Sequence, residues 1–85
     1  MNEIIADLMK VVTDITEGEV QPDPAQTGDD SIRNLGLNSL RMLNFLVTVE
    51  DMFGIEWEDD LPESVLGSFE QMARYITEQR DVQYA

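Results

Sequence analysis

Residues 35–54 read LGLNSLRMLNFLVTVEDMFG, and this run decides the fold. Gly36 permits a tight turn, Asn38 or Ser39 is placed to cap a helix, and Gly54 ends it. Spacing the side chains at ~100° per residue puts Met42, Phe45, Leu46, Val49 and Phe53 on one side, with Leu43 at its margin. Arg41, Asn44, Thr48 and Asp51 fall opposite, and Leu40 and Val47 fall with them rather than with the core. The period is helical, so the chain is organised around an amphipathic helix over 39–53.

Upstream, Ile4, Ile5, Leu8, Val11, Val12 and Ile15 recur at helical spacing among Glu3, Asp7, Asp14 and Glu17. They predict a helix over 2–17, capped by Asn2 and stopped by Gly18. Pro22, Pro24, Gly28 and the Asp29-Asp30 pair then erase the period, giving a long loop whose far end Ile32 and Leu35 pin to the core. Downstream, Ile55-Glu56-Trp57 enters an acidic loop, Glu58-Asp59-Asp60, and Leu61-Pro62 open a short helix over 61–66 with Val65 and Leu66 as its apolar face. Ser68 and Gln71 form a capping box for a last helix over 69–79, with Phe69, Met72, Ala73 and Ile76 inward. Arg74 and Arg80 lie near its negative end, and Gln79 onward reads as tail. The expected fold is all-α: one four-helix bundle over 1–85, with a long loop after the first helix and a short third helix.

The 85 residues include eighteen acids and five bases, a formal charge of −13, with no cysteine and no histidine. The core must therefore hold the chain together without disulfides, and Cys/His zinc sites, cysteine nucleophiles and histidine bases are excluded. The negative field disfavours nucleic acid and anionic membranes and favours partners with basic patches. The start, MNEIIADLMK, has acids where a signal peptide needs bases, and no stretch reaches the ~20 apolar residues of a bilayer span, so a cytoplasmic location is expected.

Ser39 sits where the free N–H groups and positive end of a helix point outward, a place that welcomes a phosphate ester as readily as it needs a cap. Leu40 and Val47, apolar on a solvent side, flank it as a docking patch would. Trp57 reads as a loop anchor, and Met42 and Met52 as core filler or lining. Glu56, Glu58, Asp59, Asp60 and Glu63 lack the glycine and terminal glutamate of a calcium loop and read as a solvated acidic stretch. If the bundle holds a pocket beside the second helix, Met42, Phe45 and Leu46 are placed to line it.

The run L-G-L-N-S-L, followed by V-E-D-M-F-G-I-E-W and S-F-E-Q-M-A-R-Y-I, resembles the acyl carrier proteins, whose wider family includes the peptidyl carriers. The resemblance spans nearly the whole chain. It implies that Ser39 receives a 4′-phosphopantetheine arm from coenzyme A, through a separate magnesium-dependent phosphopantetheinyl transferase. The arm would carry acyl or aminoacyl groups as thioesters between loading and downstream biosynthetic enzymes, the carrier itself catalysing nothing and acting as a monomer. The family's docking positions match Leu40, Arg41, Asn44, Val47, Thr48 and Asp51. Three departures narrow the expectation. Asn38 stands where acyl carriers usually have Asp, Arg41 and Asn44 stand where fatty-acid carriers tend to have acids, and the Gly-Gly pair of peptidyl carriers is missing. The chain is therefore expected to be a discrete carrier of polyketide or nonribosomal peptide metabolism. The alternatives are a fatty-acid-synthesis carrier or an unmodified, carrier-shaped acidic adaptor. An enzyme would need acid–base chemistry from carboxylates alone, and the pattern brings no such pair together.

Overall fold

The computed structural model describes residues 3–84 and contains α1 Glu3–Ile15, a 3-10 turn Arg33–Leu35, α2 Ser39–Phe53, α3 Glu63–Leu66 and α4 Phe69–Tyr84. No strand occurs among the described residues, so Ile55 to Trp57 is irregular loop. The architecture is the all-helical bundle expected, with three corrections to the helix bounds. α1 stops at Ile15 because the buried Thr16 turns the chain: its hydroxyl donates to the Val12 carbonyl at 2.8 Å and accepts the Val20 N–H at 3.1 Å. The Asn2 cap lies outside the described residues. α3 starts at Glu63, since Pro62 occupies the cap position with extended backbone (φ −60°, ψ 144°) rather than the first turn. α4 continues to Tyr84 instead of ending at 79, as no glycine or proline follows Gln79 to break it. Arg74 is consequently mid-helix, and the Arg80 guanidinium lies 6.0 Å from the centre of the Phe53 ring.

The core is assembled from one face of each long helix: Leu8, Val11 and Val12 of α1, Phe45 and Val49 of α2, and Phe69, Met72 and Ile76 of α4. Ile32 and Ile55 plug it from the loops. α1 packs on both α2 and α4, while α3 packs on α4. Met52, expected as core filler or lining, is 51% exposed, for it lies at the edge of the buried arc of α2.

The long first loop is ordered by bonds to the α3–α4 corner. The Gly67 carbonyl accepts the N–H groups of Ile32 and Arg33, and the buried Ser31 hydroxyl accepts the Phe69 N–H at 3.0 Å. Thr27 adds a reciprocal pair with Glu70, accepting its N–H through the carbonyl and donating its hydroxyl to the carboxylate at 2.8 Å. The Ser68 hydroxyl accepts the Gln71 N–H at 3.3 Å, so the serine half of the expected capping box is present, while the Gln71 side chain makes no return bond among the described residues.

Trp57 anchors the second loop, its indole N–H donating to the Leu46 carbonyl at 2.9 Å. Its ring stacks on Tyr75, centroids 5.3 Å apart. Burial, with the negative charges of Glu58 and Asp60, holds the Tyr75 phenol above its ordinary value of 10.0, against a backbone hydrogen bond from Glu58 that lowers it. The neutral phenol is thus favoured in the folded state, so its contribution is intact below pH 10.0 and is lost as pH rises toward the folded value. Denaturant melts above pH 10 should show a steeper loss of stability in the unaltered protein than in Tyr75→Phe.

Candidate functional site

The head of α2 follows from three adjacent residues. Gly36 adopts φ +73°, a left-handed conformation that lets the chain leave the 3-10 turn and rise into α2. Asn38 is the cap: its backbone is extended and its side-chain oxygen accepts the Arg41 N–H at 2.8 Å. Ser39 is the first helical residue, exposed, and its hydroxyl makes no hydrogen bond to any described residue. The sequence left the capping role open between the two, and the structure gives it to Asn38. Removing that cap by Asn38→Ala should lower stability by about 1 kcal/mol, read as a shift in the denaturation midpoint at unchanged slope.

Beyond Ser39, α2 exposes Leu40, Leu43 and Val47, at 75%, 60% and 46%. Asn44 and Asp51 are exposed beside them, whereas Arg41 and Thr48 are half-buried. The Arg41 guanidinium is paired with the Glu19 carboxylate, which ties α2 to the turn after α1. The Thr48 hydroxyl donates back to the Asn44 carbonyl at 2.7 Å. Glu50 turns away from this face, its carboxylate accepting the Trp57 N–H. Leu43, placed at the margin of the core by the sequence, is a full member of the exposed stripe.

Compared with protein-family models, residues 3–76 match the phosphopantetheine attachment site. The chain belongs to that carrier-protein family. Neither the curated proteins nor the solved structures give a match.

The cofactor of this carrier is covalently attached 4′-phosphopantetheine. The head of α2 fits it, for Ser39 offers an unengaged, exposed hydroxyl beside the first N–H groups of a fifteen-residue helix. Those N–H groups and the positive end of the helix dipole favour a phosphate diester there. A carrier of this family interacts with a transferase and with biosynthetic enzymes.

Beside α2 the carrier has an apolar cleft of about 350 Å³. Leu37, Met42 and Leu46 form one wall, Ile32 and Leu66 the other, with Arg33 and Glu63 at the rim. The two rim side chains pair at 3.6 Å, and Arg33 also reaches Asp30 at 3.7 Å; all three are largely exposed, so these pairs contribute little to stability. Phe45, expected to line such a pocket, is wholly buried in the core behind it. The contributions of Leu37 and Leu66 were missed, although both are apolar residues at helix boundaries. The acidic stretch from Glu56 to Glu63 stays solvent-exposed at its carboxylates, and no group of three or more metal-ligating residues occurs among the described residues. No helix is long and apolar enough to cross a membrane.

Proposed function

We propose that Ser39 is the attachment residue and that the chain is a non-catalytic carrier of acyl or aminoacyl thioesters in polyketide or nonribosomal peptide biosynthesis. The observation that carries the assignment is the division of labour at the head of α2: Asn38 caps, and the Ser39 hydroxyl is left exposed and unbonded. When bound, the arm supplies a terminal thiol, the nucleophile this cysteine-free chain lacks. The chain's own residues orient it: α2 fixes the serine on a rigid first turn, and its N–H groups face the phosphate position. The presence of the half-buried Arg41 and the exposed Asn44 at positions where fatty-acid carriers tend to have acids favours the specialised pathways over fatty-acid synthesis.

The test is loading. The purified chain, coenzyme A, magnesium and a broad-specificity phosphopantetheinyl transferase should give one phosphopantetheine adduct by intact mass, mapped by fragmentation to Ser39. No adduct with any transferase tried would instead support an unmodified adaptor. Subsequent transfer of aminoacyl or polyketide-type acyl groups, but not fatty-acyl chains, by cognate loading enzymes supports the pathway assignment.

A further inference from the structure

The side chain that caps α2 has a second half that the fold leaves unused. Asn38 accepts the Arg41 N–H at 2.8 Å, and of its two terminal atoms only the oxygen can accept, so the orientation of the amide is settled. The other end of the group, Nδ2, carries two N–H donors. Neither has a partner among the described residues, and Asn38 is exposed. The backbone N–H groups of Ser39 and Leu40, at the start of the helix, likewise have no acceptor among the described residues. The first turn of α2 contains no acid. The carboxylate that pairs with this turn is Glu19, and the Arg41 guanidinium offsets its charge. An aspartate in place of Asn38 would cap the helix equally well, but it would bring a negative charge and no donor. The amide therefore adds nothing that the helix needs, and it adds a donor for an anion beside it.

On the reading of Ser39 as the attachment residue, on which this depends, we propose that the Asn38 side chain binds the phosphate of the arm. Nδ2 donates to a phosphate oxygen while Oδ1 keeps the cap. Asn38 and Ser39 are consecutive, with Cα atoms about 3.8 Å apart, so the donor and the esterified oxygen leave neighbouring points of the chain. Hydrogen bonds to an ionised acceptor are stronger than those between neutral groups, and a phosphate diester keeps one negative charge. The cap already holds the amide in one orientation, so the donation costs little further side-chain freedom. With the N–H groups of Ser39 and Leu40 beside it, Asn38 restricts the direction in which the arm leaves α2.

The experiment compares the unmodified chain by NMR with the same chain loaded by coenzyme A, magnesium and a transferase. In the loaded protein the Asn38 side-chain amide protons should move downfield and exchange more slowly with water, while those of Gln26 and Gln71 stay in place. A second measurement uses Asn38→Asp and Asn38→Gly, both acceptable caps, with folding checked by circular dichroism. Urea denaturation of the unmodified and loaded forms gives the effect of the arm on the unfolding equilibrium constant. Aspartate should shift that effect against the loaded form by about fivefold or more, through the lost bond and the added repulsion. Glycine should shift it by about two- to threefold, through the lost bond alone. A residue that only caps would change both forms of each variant equally. Unmoved Asn38 amide signals in the loaded protein, or an arm effect that is the same in all three chains, overturns the phosphate-binding role while leaving Ser39 as the attachment residue. Absence of an adduct on the unaltered chain overturns the attachment assignment, and the role of Asn38 with it.

Discussion

Ser39→Ala is expected to remain folded with unchanged stability and to take up no phosphopantetheine. Both halves follow from the same geometry. The Ser39 side chain is exposed and has no hydrogen bond to lose among the described residues, while the capping bond belongs to Asn38. Alanine is a good helix former, and surface substitutions of this kind fall within about 0.5 kcal/mol. Loading, by contrast, should vanish, because the other serines are poorly placed to substitute. Ser31 and Ser68 are buried and engaged with the backbone of α4, so neither hydroxyl is accessible to a transferase. Ser64 is the one further exposed serine, and it lies in a helix of only four residues. Intact mass and thermal melting on the same samples check the pair of expectations. An adduct that persists in the variant and maps to Ser64 would overturn the assignment, and a variant that unfolds would show that Ser39 has a structural duty.

The second large effect is Phe45→Ala. Phe45 lies on the buried face of α2, completely inaccessible, against residues of α1 and α4. Truncating a buried phenylalanine removes its transfer energy and leaves a cavity, together about 3–5 kcal/mol. For 85 residues, a total stability of about 4–13 kcal/mol makes that a large share, so the variant should unfold at much lower denaturant or be partly unfolded in water. Leu43→Ala, two positions earlier but exposed, should stay within about 0.5 kcal/mol. The pair measures the two faces of one helix by urea denaturation. Equal effects would mean that α2 is rotated relative to the orientation described.

Much of this arrangement was legible in residues 35–54, because an amphipathic period fixes which side of a helix is buried before any partner is known. The inward set Met42, Phe45, Leu46, Val49 and the outward pair Leu40 and Val47 were separable on spacing alone. Leu43 and Met52 were not. Each lies near the boundary of the apolar arc, where exposure depends on whether a neighbouring element covers that flank, and α3 packs on α4 instead. The cleft was hidden for a related reason: Ile32, Leu37 and Leu66 come from segments whose approach is set by the bonds at Gly67, a tertiary fact without a local period. The extent of α4 was underread because polarity after Gln79 resembles a tail, although a solvated helix has the same composition. The cap remained ambiguous since Asn and Ser both suit the position, and only the backbone angles distinguish cap from first turn.

The indole–carbonyl bond between Trp57 and Leu46 makes the chain its own optical probe. Trp57 is the single tryptophan, and it is joined through a backbone carbonyl to a residue whose side chain forms part of the cleft wall. A molecule pressing on that wall should disturb the contact of the sole tryptophan with α2 and with the Tyr75 ring. Emission intensity and wavelength are therefore expected to respond to occupancy of the cleft, with no label added and no residue changed.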